Sequence, residues 1–359
     1  MKIRIGTLAH WGWIAVSAAT LGCQADNRVG LEPDGGAGAN QNGAAGSSGG
    51  ASSTASNGAS NQYMALAYDG PLTQITVANV GGITRFDQVT GAKLRTVDPG
   101  RDGAMLVRDV GNVMAASLLG NLWLFNANSD LQRTIKHDSQ VFSLELAPDG
   151  SVVYSGGIDG KVRRFATMTG AELSPALGPD STDFILDLSA SADGLYVAAA
   201  EKDGVHVWST ADGAPVVQLP AVMGAEAVRF APSGREIAVT DGNGTATYTL
   251  PDGTLIRRYV TDGVPLKMAY SFDSTKLALP SIDSTVVRVF DTSTGATLVT
   301  LFDSSPLRQN EMPLEHRVMG LSFVERDTHL AVAWQSGRLS KWNVADGTLL
   351  WSRFDTDKP

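Results

Sequence analysis

The chain has 359 residues, 43% of them hydrophobic, which is enough for one large domain or two ordinary ones with a sizeable core. It carries 28 Lys and Arg against 37 Asp and Glu, a formal net charge of −9, which argues against a nucleic-acid partner because affinity for phosphates rests on clustered cations. Beyond residue 22, no apolar run reaches the roughly 20 residues that a bilayer-spanning helix needs.

Residues 1–22, "MKIRIGTLAHWGWIAVSAATLG", begin with Lys2 and Arg4 and continue through a mostly apolar stretch into small residues, the layout of a secretory signal peptide. Cys23 follows at once. The run "TLGC" resembles the lipobox of bacterial lipoproteins, with Thr20 where that family usually has Leu. The resemblance implies that Cys23 is acylated and becomes the mature N-terminus of an exported envelope lipoprotein, anchored through lipid alone. Gln24 then suggests onward sorting to the outer membrane or cell surface. The other reading of this leader is an ordinary signal cut elsewhere, leaving a free thiol. Cys23 is the only cysteine, so the core must hold without an internal disulfide.

From Gly35 to Gln62 every residue is Gly, Ala, Ser, Asn, Gln or Thr, which offers no charge and almost nothing to bury. Residues 23–62 therefore read as a disordered, flexible tether. A Gly-rich coil of about 40 residues has a root-mean-square span of about 35 Å.

Beyond the tether lies a repeat. Phe86, Phe125, Phe165, Trp208, Tyr248, Phe290 and Trp342 fall at intervals of 39, 40, 43, 40, 42 and 52, each closing a short strand-like run such as "GVHVW" or "VVRVF". Five residues after each comes Gly91, Asp130, Gly170, Gly213, Gly253, Gly295 or Gly347, where a tight hairpin needs positive φ. A further turn precedes most of them, as in "APDG", "SADG" and "APSG". Each unit reads as four antiparallel strands, and no segment shows helical periodicity. The strands are apolar on both faces, as in "LAVAW", which suits sheets covered on both sides. The predicted fold is all-β: seven four-stranded sheets closing into a seven-bladed β-propeller over residues 63–354, followed by a tail at 355–359. The first unit starts with an innermost strand and the last ends with an outermost one. Ring closure would then rest on packing alone, without strand exchange.

The third unit, "HDSQVFSLELAPDGSVVYSGGIDGKVRRFATMTG", resembles a WD-repeat. Its His137, Ser155, Asp159 and Phe165 match the His, Ser or Thr, Asp and Trp that this family links by hydrogen bonds across a blade, with Phe165 lacking the indole N–H. "ATMTGAEL" and "NVADGTLLW" also resemble quinone-binding propellers and their non-enzymatic relatives. The WD-repeat resemblance implies an interaction platform for macromolecules. The second resemblance implies a propeller enzyme of the lactonase or quinoprotein type working in the central channel.

The chemical inventory is thin. His137, His206, His316 and His329 lie in different units without paired metal-ligand spacing, and His206 reads as a satisfied, partly buried histidine. No G-x-S-x-G, H-E-x-x-H or phosphate-cradling loop occurs, so no catalytic residue, metal or cofactor is assigned. "DPGRDG" (Asp98–Gly103) and "TDGNG" (Thr240–Gly244) read as turns rather than calcium loops. Glu145, Asp187, Arg229 and Lys267 lie near the inner strands, scattered singly. An enzyme would need such groups to meet at one mouth of the channel.

The beat breaks once, between Phe290 and Trp342, where about ten extra residues fall within Asp303–Arg317, a segment that ends in "PLRQNEMPLEHR". Leu307, Met312 and Leu314 stand there among Arg308, Glu311, His316 and Arg317, a mixture suited to a docking patch. Pro306 and Pro313 stiffen the segment. The functional expectation is thus a membrane-anchored, monomeric scaffold for an unidentified protein partner.

Overall fold

The computed structural model describes residues 63–354, apart from 70–72, 80–81, 98–103, 105, 112, 119, 179–182, 221–223, 282–284 and 303–316. The leader, Cys23, the tether, Asp98–Gly103, the segment from Leu307 to His316 and the tail lie outside the described residues.

Twenty-eight strands form seven four-stranded antiparallel sheets. Blades 1 to 7 occupy residues 63–97, 106–136, 141–177, 187–220, 225–259, 269–302 and 318–354. Each is a simple meander in which consecutive strands are neighbours. No helix occurs among the described residues. The innermost strands are Tyr63–Asp69, Leu106–Val110, Val141–Leu146, Asp187–Ala190, Ala225–Phe230, Ala269–Tyr270 and Val318–Val324. Each contacts the innermost strand of the next blade, and that of blade 7 contacts that of blade 1, so the ring is closed.

Burial follows from this arrangement. The second strand of every blade is buried on both faces, as in His329–Trp334 and Tyr196–Glu201, because a blade covers its neighbour on each side. The seven spacing aromatics are all buried, from Phe86 to Trp342. Each anchors a core layer shared with an adjacent blade, as Phe165 does with Ala115 and Leu122 of blade 2.

The turn after each aromatic behaves as its glycines predict: Gly91, Gly170, Gly213, Gly253, Gly295 and Gly347 have φ between 68° and 76°. In blade 2, where Asp130 replaces the glycine, the left-handed residue is Ser129 at φ 61°.

At the seam between blades 7 and 1, neither blade borrows a strand from the other. Tyr63, Leu66, Ile75 and Phe86 pack there against Val324, Ala331, Leu339 and Trp351. Packing is not the whole of closure, however. Lys341 Nζ donates to the Gln88 carbonyl at 2.9 Å and Trp351 Nε1 to the Val89 carbonyl at 3.0 Å. These polar links reach a turn of blade 1 that showed no seam role in the sequence. Backbone approach is close enough that a Cβ on Gly320 would lie 2.5 Å from the Leu66 nitrogen, so only glycine fits.

Candidate functional site: charges that meet across the channel

Arg108, Glu145 and Arg229 occupy the same place on their innermost strands. They pair with Ala115, Tyr154 and Ala238, each one residue on from the partner of the blade aromatic (Met114, Val153 and Ile237, opposite Phe125, Phe165 and Tyr248). Three long charged side chains at one level of a narrow ring meet without any special loop.

The Glu145 carboxylate is the hub. Its Oε2 accepts from Arg108 Nε of blade 2 at 3.2 Å and from Arg229 Nη1 of blade 5 at 2.9 Å. Blades 3 and 5 are separated by blade 4, so the second bond runs across the channel rather than along the wall. Glu145 Oε1 accepts the Leu146 amide at 3.1 Å. Asp187 of blade 4 closes the gap: its Oδ2 accepts the Val228 amide at 3.1 Å and stands 3.6 Å from Arg229 Nη2. Asp187 is buried and Arg229 partly buried, so these charges are screened less than surface pairs.

Lys267, just before the innermost strand of blade 6, joins the set. Burial pushes its ammonium below the usual lysine range; Asp187 opposes that shift, while Arg108 and Arg229 add to it. Burial alone would also depress Arg229, but Asp187 and Glu145 hold it above its ordinary value. Three cations (Arg108, Arg229, Lys267) face two carboxylates (Glu145, Asp187), leaving an excess of one positive charge.

Glu145, Asp187 and Arg229, scattered singly in the sequence, thus meet with Arg108 in the ring, and Lys267 lies within reach of their charge. The signal was present, since Arg108, Glu145 and Arg229 hold one repeat position, but it is visible only once the repeats are aligned strand by strand. Chemically the cluster is a set of charge pairs. Both carboxylates are engaged by cations and backbone amides.

The blade residues singled out by sequence are placed as follows. His137 Nδ1 lies 3.0 Å from the Ser139 carbonyl, and burial pushes the imidazole below its usual range against the pull of Asp159. Asp159 accepts from Arg163 Nε at 3.0 Å. Ser155 Oγ and His137 Nε2 are buried without a hydrogen-bond partner. Phe165 meets His137 edge-on, with centroids 6.1 Å apart. In Thr240–Gly244, the Asp241 carboxylate accepts the Asn243 amide at 2.8 Å, the geometry of a hairpin turn. Of the insertion residues, Arg317 alone lies within the described residues, and its carbonyl accepts the Gln335 amide at 2.8 Å.

With that geometry in place, comparison with known proteins gives a family for one segment. Residues 129–165 match the family model described as WD domain, G-beta repeat. This stretch is similar to a WD repeat. It starts in the turn before the outermost strand of blade 2 and ends at Phe165, so the matched segment spans that strand and the first three strands of blade 3. No curated protein matches the chain. Among solved structures, a crystal structure of the computationally designed Ika8 protein is similar, with a TM-score of 0.62 and 19% identity over 83% of this chain and 88% of that one. At that identity the likeness is one of fold.

Proposed function

We propose that the protein is an interaction scaffold, exported and held at a bacterial envelope membrane by lipid on Cys23. The observation that supports this reading is a rim of unpaired strand edges that carry exposed apolar side chains. The outermost strand of each blade has one hydrogen-bonded neighbour among the described strands, so its other edge is unpaired. Leu94, Leu131, Leu255, Leu298 and Leu349, on the outermost strands of five blades, are 40% to 50% exposed. Each lies opposite the blade aromatic or one residue beyond that place. Unpaired edges carrying apolar side chains are the chemistry of protein docking. The insertion holding Leu307, Arg308, Glu311, Met312, Leu314, His316 and Arg317 is proposed as a second docking element on the same scaffold.

Crosslinking in the native envelope tests both elements, comparing the intact protein with a form whose 304–316 segment is replaced by a short Gly-Ser turn. The expected result is one captured partner, reduced at least tenfold in the replaced form. Equal capture by both removes the insertion from the binding surface. Cys23→Ser should move the protein out of the membrane pellet, and retention there counts against the anchor.

One observation favours a second reading, a channel enzyme: four charged side chains meet there, with Lys267 within reach of their charge. Capture of no partner by either form would shift the weight to that reading.

A further inference from the structure

The hairpin joining the second and third strands of blade 4 (Tyr196–Glu201 and Gly204–Ser209) gathers three metal-ligating side chains outside the charged channel cluster. Glu201 closes the second strand, Asp203 sits in the two-residue turn, and His206 is on the third strand. One ligand atom from each lies within 4.8 Å of the other two.

Neighbouring blades show what this position does when it is merely structural. In blade 3, Arg163 pairs with Ser155 as His206 pairs with Ala199, and it binds Asp159 of its own turn at 3.0 Å. In blade 5 the residue equivalent to Glu201 is Asp241, which also faces the glycine after the turn, and it caps that turn through the Asn243 amide. Blade 4 shares the first arrangement, with His206 beside Asp203 of its own turn, but lacks the second. Glu201 is 1% exposed, and its Oε1 is buried with no hydrogen-bond partner. A carboxylate buried without donor or cation is strongly disfavoured. Burial first, then Asp203 and Asp183, raises the Glu201 carboxyl to about 7. Its surroundings therefore add negative charge where a compensating positive one belongs.

The other two ligands are oriented and reachable. His206 stacks on Trp208, with centroids 5.7 Å apart and planes 22° from parallel, which fixes the imidazole. Its Nε2 lies 3.1 Å from Asp203 Oδ1, and Gln218 Nε2 donates to Asp203 Oδ2 at 3.3 Å, an outer contact that steadies the carboxylate. The Asp203 side chain is 52% exposed, giving a path from solvent.

We infer that Glu201, Asp203 and His206 form a binding site for a first-row divalent cation of the zinc class, with solvent completing the coordination. An imidazole beside two carboxylates suits zinc, whereas calcium and magnesium take oxygen ligands. At zinc–ligand bonds of about 2.1 Å, tetrahedral ligand atoms lie about 3.4 Å apart, so His206 and Asp203, at 3.1 Å, already stand near that spacing and Glu201 closes by at most roughly 1.4 Å on binding. The bound cation supplies the missing partner of Glu201 and ties both strands of the hairpin to its turn.

The full chain, stripped with chelator, is titrated with zinc chloride and separately with calcium chloride, and read by equilibrium dialysis and thermal unfolding. Expected are one zinc equivalent held more tightly than calcium and a Tm that rises with zinc concentration. Glu201→Gln and His206→Gln should each weaken zinc at least tenfold. Glu201→Gln should also melt no lower than the parent without metal, because it removes a buried charge, so its loss of zinc cannot be ascribed to misfolding. Equal zinc affinity in parent and Glu201→Gln, no zinc retained by the parent, or a preference for calcium would each overturn the assignment.

Discussion

Blades 3 and 7 share one four-strand meander, yet they hold their landmark aromatics differently. Blade 3 contains most of the segment similar to a WD repeat. Nonetheless its Ser155 hydroxyl is buried without a partner, and Phe165 can offer only an aromatic edge to His137. Blade 7 follows the longest interval and lies outside the matched segment, but Trp334 Nε1 and Trp342 Nε1 both donate to Ser340 Oγ, at 2.8 and 2.9 Å. Ser340, on the third strand, meets two indole donors, whereas Ser155, on the second strand, meets none. The blades differ again in the turn after the innermost strand. Blade 3 makes it with Gly150 at φ 71°, while blade 7 sets Glu325, Arg326 and Asp327 in left-handed conformation at φ 50°, 55° and 66°. Three such residues in a row are costly and are held from outside: Asp327 accepts the Phe272 and Asp273 amides of blade 6 at 2.8 and 3.0 Å. Blade 7 is thus fastened to blade 6 through its turn and to blade 1 through Lys341 and Trp351.

The largest expected effect comes from removing either landmark. Trp342→Ala and Phe165→Ala should each cost about 3–5 kcal/mol in denaturant unfolding, with Trp342→Ala the greater because it also strips Ser340 of a donor. A variant melting like the parent would show that its aromatic is no core element. Next in size is the serine pair. Ser340→Ala leaves two buried indole donors without an acceptor and should cost about 2–4 kcal/mol, whereas Ser155→Ala removes a group with no partner and should fall within about 0.5 kcal/mol of the parent. Equal costs for the two would erase the distinction between the blades.

The smallest effect concerns the turns and acid. Hydrogen bonds from the Ser151 hydroxyl and amide hold the Asp149 carboxyl of blade 3 below its ordinary value. A group depressed on folding adds stability above the ordinary carboxylate range and loses it as pH falls below that range. Asp149→Asn should therefore flatten the acid limb of Tm against pH slightly and leave neutral stability nearly unchanged. Asp327→Asn, by loosening the contact to blade 6, should lower Tm already at pH 7.

How much of this was legible divides along the length scale of the interaction. The rhythm of aromatics and the apolar second strands specified seven four-stranded blades, because each blade buries both faces and needs the same residues at the same places. The turn after each aromatic was legible too, since a tight hairpin demands positive φ and glycine supplies it. Tertiary structure alone decided what lies between blades. Arg108, Glu145 and Arg229 are 37 and 84 residues apart along the chain, and only closure of the ring sets them at one level of one channel. The meeting of Lys341 with Gln88 spans 253 residues and exists only because blade 7 comes to rest against blade 1. Glu201, Asp203 and His206 are close in sequence, yet no spacing rule marks them. What sets Glu201 apart is its burial without a partner, and burial belongs to the assembled ring.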